Sequence, residues 1–91
     1  MKGISILVFA YNEEKYILDT LKLIYSCIAK TKIKFEIIVL NDGSKDNTKK
    51  IVENFKKKIK KIKIINFKKN MGISRSLRYG IKISKYEKLT I

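Results

Sequence analysis

Two carboxylates, Asp42 and Asp46, lie in the stretch IIVLNDGSKDNT at residues 37–48, where four aliphatic residues give way to a polar turn. A second polar site, Phe9-Ala10-Tyr11-Asn12-Glu13, closes another apolar run near the N-terminus. If the two runs are neighbouring strands, Tyr11 and Asp42 open into one crevice at the strands' carboxyl ends, where open α/β sheets collect ligands. That pair suits a nucleobase. An aromatic face stacks on the ring, and a carboxylate accepts the ring N–H of a pyrimidine such as uracil. Gly43 lets the chain turn sharply, so that the carboxylate faces the crevice.

Other chemistries compete for the same residues. Asn-Asp-Gly-Ser forms strand-to-helix turns for backbone reasons alone. Asp42, Ser44, Asp46, Thr48 and Glu53 fall at positions 1, 3, 5, 7 and 12 of a calcium loop. Against calcium, Asn47 replaces the glycine at the sixth position, Lys49 follows at the eighth, and a strand rather than a helix leads in. The phosphate-cradling patterns GxGxxG and GxxxxGK[ST] are both absent. No histidine is present, which removes His-based acid–base chemistry and His metal ligation together. Cys27 stands alone, so there is no disulfide framework; its place beside apolar helix positions predicts a small buried hydrophobe.

The elements that must position Tyr11 and Asp42 follow a repeating unit of apolar run, polar turn and helical pattern. Residues 4–10 (ISILVFA) and 36–40 (EIIVL) are continuous apolar runs, as in strands covered on both faces. Residues 62–67 (IKIINF) form a third strand, and a fourth begins at Leu89. Ile17, Leu21, Ile24 and Ile28 make one helix stripe, with Asn12 as its cap and Glu13 and Glu14 in its first turn. A second helix starts near Asp46, capped by Ser44 or Asp46, and buries Ile51, Val52, Phe55 and Ile59. The run KKKIKK at residues 56–61 is its cationic end, favourable to the helix dipole. A third helix from Gly72 buries Ile73, Leu77 and Ile81, with Gly80 allowing close packing on the sheet. This alternation predicts a three-layer, Rossmann-like α/β/α domain with a parallel sheet and right-handed crossovers.

Ninety-one residues allow one modest core or a piece of a larger fold. The formal net charge is +14, almost all of it lysine, with only Arg75 and Arg78 as arginines. Lysine serves here as the default solvated residue, so nucleic acid is not the expected partner, while peripheral contact with an anionic membrane surface remains open. The longest uncharged run, residues 4–12, is far short of the ~20 residues of a membrane helix. Met1–Lys2 before it imitates a secretory signal only faintly, since Glu13-Glu14-Lys15 follows in place of a cleavage site. A cytoplasmic setting, at the inner face of a membrane if bound to one, fits these features.

Taken together, ISILVFAYNEE, FEIIVLNDGSKDNT and NMGISRSLRYGI at residues 70–81 resemble, in order and at family spacing, the N-terminal half of family 2 glycosyltransferases. These are inverting enzymes of the GT-A fold that include polyprenyl-phosphate sugar transferases. The resemblance implies a sheet of order 3-2-1, with the start of strand four beside strand one. It also implies a site for a UDP- or GDP-linked sugar. Tyr11 matches the aromatic residue against the base, Glu13 the acid near the ribose, and Asp42 the carboxylate that reads the base. Phe9 stands where many members have proline, keeping a backbone contact. Asn41 replaces the first aspartate of the usual Asp-Asp-Gly-Ser, and Asn70 and Gly72 match the Asn-x-Gly turn. Arg75 and Arg78 follow on a helix, where a cation faces the diphosphate or solvent.

The family's Asp-x-Asp metal motif after the fourth strand, and the later general base, have no counterpart in residues 1–91. The resemblance therefore implies Mg²⁺ or Mn²⁺ for the intact enzyme, with no metal ligand and no catalytic residue in this chain. The expectation is the nucleotide-sugar-binding part of a glycosyltransferase, ending before its metal motif, that serves a lipid-phosphate, glycan or other acceptor. The alternatives are a small basic α/β module that holds an anionic polymer or membrane surface, and a remnant without catalysis.

Overall fold

In a computed structural model the chain alternates β1 (Gly3–Ala10), α1 (Ile17–Ala29), β2 (Lys34–Asp42), α2 (Thr48–Lys58), β3 (Ile62–Phe67), α3 (Ile73–Ile83) and β4 (Glu87–Thr90). The structure describes residues 3–90; Met1, Lys2 and Ile91, the last residue of the expected fourth strand, lie outside the described residues. The four strands form one parallel sheet in the order β3-β2-β1-β4. Both the parallel sense and the order agree with the sequence.

Strand alternation divides the core in two. Ile6, Val8 and Ala10 of β1 join Phe35, Ile37 and Val39 of β2 on one face, against Ile17, Leu21 and Ile24 of α1 and Val52 of α2. Leu7, Ile38 and Leu40 occupy the other face, against Leu77 and Ile83 of α3. Because β1 and β2 are covered on both sides, they read as unbroken apolar runs.

Several boundaries differ from the sequence expectation. Strand β2 continues through Asn41 and Asp42, so the turn starts only at Gly43, whose φ is 73°. Helix α1 begins at Ile17, and Asn12 is not its cap. Asn12 sits instead in the left-handed region, at φ 52°, in the loop before the helix. Cys27 is exposed rather than buried. Strand β4 starts two residues before Leu89.

The buried face of α3 also differs. Ser76 and Gly80 are buried, while Ile73 and Ile81 are exposed. The cause is the closeness of helix to sheet. A Cβ on Gly80 would stand 2.9 Å from a Leu40 methyl, so small residues face the sheet and the two isoleucines are displaced to the flanks.

One polar group lies inside this layer. Glu36, on the α3 face of β2, accepts bonds from the Ser5 hydroxyl at 2.7 Å and the Lys85 backbone N–H at 2.7 Å. It also pairs with Lys63 at 2.8 Å. The Ser5 hydroxyl in turn accepts the Tyr86 N–H, which joins the entry of β4 to β1. Burial pushes the Glu36 carboxyl up, but the Lys63 ammonium, the Lys85 N–H and the Ser5 hydroxyl outweigh it and hold the group below its ordinary value of 4.5. A depressed folded-state value stabilises the fold above the ordinary value and loses that contribution as pH falls through the folded one. Glu36→Ala is expected to cost about 1–3 kcal/mol at neutral pH, because buried donors lose their acceptor. Urea midpoints should show the variant losing less stability than the parent when the pH falls below 4.5.

Candidate functional site

Ala10 is paired with Asn41, so β1 and β2 end side by side and release their loops at the same edge of the sheet. Tyr11 follows directly and is 37% exposed. Helix α3 leads back to a parallel strand, so it runs antiparallel to the sheet and starts at this edge. Phe9, half-buried, alternates onto the sheet face that α3 covers.

The two strand-end loops are bound together by reciprocal hydrogen bonds. The Asn12 N–H donates to Ser44 Oγ at 2.9 Å, and the Lys45 N–H donates back to Asn12 Oδ1 at 2.8 Å. The Glu13 N–H reaches Thr48 Oγ1 at 2.9 Å, and the Glu14 N–H reaches Asp46 Oδ2 at 3.2 Å. The Asn47 N–H closes the set on Glu14 Oε1 at 3.0 Å. Left-handed backbone at Asn12 aims its N–H and its amide oxygen at the same partner loop, and asparagine tolerates that conformation better than most residues.

Asp46 has two tasks here. Its Oδ1 accepts the N–H and the hydroxyl of Thr48, at the first turn of α2, while Oδ2 holds Glu14. Burial pushes its carboxyl up, but the Thr48 hydroxyl and the Thr48 and Glu14 N–H groups keep it below the ordinary range. The sequence expectation made Ser44 or Asp46 the cap of α2, but the N-cap position is Asn47, without a side-chain cap bond. Asp46, one residue further out, accepts the Thr48 N–H instead and also grips the Tyr11 loop. Asp46-x-Thr48 at the entry to a helix is the available signal, but it does not reveal a partner more than thirty residues away.

Asp42 is where the structure departs most from the sequence picture. Its side chain does not face the crevice; it is turned under α3 and is fully buried. Oδ1 accepts the Met71 N–H at 2.8 Å and the Ser76 hydroxyl at 3.0 Å, and Oδ2 accepts the Gly72 N–H at 2.9 Å. Even positions of β2 point to the α3 layer, and Asp42 is still strand, so alternation rather than the Gly43 turn sets its direction. Gly43 admits the adjoining loop: a Cβ there would lie 2.7 Å from the Asn70 nitrogen. Asn41, also buried, donates to Asn66 Oδ1 at 2.8 Å across the strand pair.

Arg75 and Arg78 are exposed on the first half of α3, and the Lys63–Glu36 contact is the only ion pair among the described residues. Both guanidiniums are therefore free to meet an anion. Glu13 is exposed on the clamped loop. Tyr11, Glu13 and the start of α3 thus share one edge, while Asp42 lies beneath it. Ser76, which sequence reasoning passed over, and Thr48, which it met only as a position of a calcium loop, hold that edge in shape. Among the described residues no group of three Asp, Glu, Cys or His side chains comes together as a metal site.

A three-layer domain with two loops clamped together at the carboxyl edge of a 3-2-1-4 sheet has the form of the N-terminal half of a GT-A domain. The profile described as "Glycosyl transferase family 2" matches residues 5–91, and the chain belongs to that family. It is 40% identical, over 96% of its length, to a poly-beta-1,6-N-acetyl-D-glucosamine synthase of Staphylococcus epidermidis, of which it covers 20%. It is 42% identical, over 85% of its length, to a dolichyl-phosphate beta-glucosyltransferase of Trichomonas vaginalis, of which it covers 25%. The whole chain superposes on 26% of a crystallised S. aureus TarS in complex with UDP-GlcNAc, with a TM-score of 0.80 and 31% identity. The chain thus spans about a quarter or less of these relatives.

Asp42→Asn turns one acceptor into a donor facing buried donors and should lower stability by about 1–3 kcal/mol in urea unfolding. Asp46→Ala should lower the urea midpoint, because the Thr48 and Glu14 N–H groups lose their acceptor. In addition it should speed hydrogen exchange at the Glu14 amide, a change that loss of the Thr48 bond alone does not produce.

Proposed function

We propose that this chain is the donor-binding part of an inverting glycosyltransferase that uses a UDP-linked sugar. The observation that carries the reading is the paired ending of β1 and β2, which sets the Tyr11 loop beside the start of α3. A pyrimidine ring would lie on Tyr11 and its ribose near Glu13, with the Phe9 backbone alongside. The diphosphate would extend toward Arg75 and Arg78, whose fixed positive charge favours it over the uncharged nucleoside. The complexes of TarS with UDP-GlcNAc and with UDP support uridine over guanosine.

Asp42 enters this site by holding Met71, Gly72 and Ser76, and hence the start of α3, in position. A direct bond from its carboxylate to the base requires the segment at residues 69–72 to lift away. Inversion follows if an acceptor oxygen, a glycan hydroxyl that gives up its proton or a lipid phosphate oxygen, attacks the sugar carbon opposite the departing diphosphate. The residues of this chain then bind and orient the donor. The cation expected for the intact enzyme, Mg²⁺ or Mn²⁺, would neutralise the leaving diphosphate through ligands outside residues 1–91. The names of the relatives support a growing glycan or a lipid phosphate as acceptor. A cytoplasmic location at an anionic membrane face, reached through the lysine-rich surface, completes the reading.

Thermal unfolding with nucleotides tests it. At a hundredfold excess over Kd a ligand adds about 2.7 kcal/mol to stability, so UDP should raise the midpoint by several degrees, and more than GDP does. Tyr11→Ala should remove protection by UDP and by uridine alike, whereas Arg75→Gln with Arg78→Gln should remove only the advantage of UDP over uridine. Equal protection of the parent and all variants would refute the assignment.

A further inference from the structure

The opposite edge of the sheet, where β2 and β3 begin, carries an open cavity of about 520 Å³ between the end of α1 and the α2–β3 connection. Five lysines line it, Lys32, Lys34, Lys58, Lys60 and Lys61, and no carboxylate does. The nearest carboxylate along β2, Glu36, is buried and already paired with Lys63. Between the lysines the lining is apolar, and Ile33 is 49% exposed on the connection between α1 and β2. An uncompensated cationic ring around apolar surface is complementary to a surface that is anionic outside and apolar just beneath.

We propose that this patch seats the protein on an anionic phospholipid bilayer, with the lysines at the headgroups and Ile33 inserted among them. The inference gives a place to the membrane contact proposed above and rests on that reading. A single-stranded nucleic acid fits the same charge less well, because it needs exposed aromatic faces for its bases. Here the Phe35 ring is buried, packs on Tyr25 with centroids 6.1 Å apart, and is covered by the Lys61 ammonium at 4.8 Å. Lysines also lack the planar fork with which arginine grips individual phosphates, and they suit a diffuse anionic surface. The arrangement turns the nucleotide crevice away from the bilayer, at the far ends of the strands, and so favours a growing glycan over a lipid phosphate as acceptor.

Co-sedimentation with vesicles tests the assignment. Vesicles of phosphatidylcholine with roughly a third phosphatidylglycerol should bind the chain, and pure phosphatidylcholine vesicles should not, since anionic headgroups supply the attraction. Each lysine near such a surface is worth about fivefold in affinity, so Lys32→Gln, Lys34→Gln and Lys60→Gln together should weaken binding about 100-fold. A charge-matched control outside the cavity, Lys49→Gln, Lys50→Gln and Lys82→Gln, should lose less than about tenfold, because screening confines the attraction to charges near the surface. Ile33→Ser should weaken binding with no change in charge.

Equal losses in the two triple variants would overturn the patch while leaving the membrane contact standing. No binding to anionic vesicles would overturn both. Tighter binding to a single-stranded RNA, lost in the same patch variant, would reassign the patch to nucleic acid. Protection by UDP, measured in parallel on the patch variant, should equal that of the parent, so the fate of the donor site is read separately.

Discussion

One face of one strand holds α3 at both ends. Along β2 the side chains toward α3 are Glu36, Ile38, Leu40 and Asp42, with carboxylates outside and aliphatics between. The aliphatics supply the burial that brings the helix down on the sheet, but burial alone leaves it free to slide. The carboxylates remove that freedom. Asp42 takes the backbone N–H groups of Met71 and Gly72 before the helix, and Glu36 takes that of Lys85 after it. The six residue steps from Glu36 to Asp42 span about 20 Å, and a helix of this length spans about 16 Å, so the two acceptors are spaced to bracket it. Everything proposed for Arg75 and Arg78 depends on that placement, because the helix carries them to the crevice edge.

The layers and the parallel sense were legible because apolar period and apolar length are properties of the sequence alone, whereas the sheet order came from the family resemblance. Continuous runs around Leu7 and Ile38 require cover on both faces, and alternation with helical patterns leaves a parallel sheet as the economical solution. Direction was less legible. Whether Asp42 faces ligand or helix depends on where the strand stops, and Asn-Asp-Gly reads as a turn beginning two residues before the chain actually turns. Ile73 and Ile81 show the same limit. Hydrophobicity marks them as core, but the short distance between α3 and Leu40 favours Ser76 and Gly80 at the contact. Glu36 passes unnoticed at the head of an apolar run, because its partners Ser5, Lys63 and Lys85 come from three separate parts of the chain.

At the crevice, rigidity is supplied by short polar side chains that touch backbone rather than ligand. Ser44, Asp46 and Thr48 accept N–H groups of the Asn12–Glu14 segment, and Asn12 and Glu14 return bonds to the other loop. Two loops that would each be mobile alone constrain one another, and Tyr11 is held at the base of the pair. The same short turn therefore serves as structural joint and as site wall. This explains why its composition fits both readings of the sequence. Five lysines, by contrast, line the cavity at the other end of the strands, away from this joint.

The central position of β1 also has a consequence for how the chain comes into being. Strand β1 is synthesised first, yet one of its edges pairs with β4. The bond from Tyr86 N–H to Ser5 Oγ joins residues 81 positions apart. On a ribosome adding about 5–20 residues per second, the apolar edge of β1 stands open for several seconds after β2 is available. An open strand edge is a template for the wrong partner, and the exposed edge here belongs to the middle of the finished sheet. The innermost strand waits longest for its neighbour, so the time in which this fold is open to misassembly is set by translation rather than by packing.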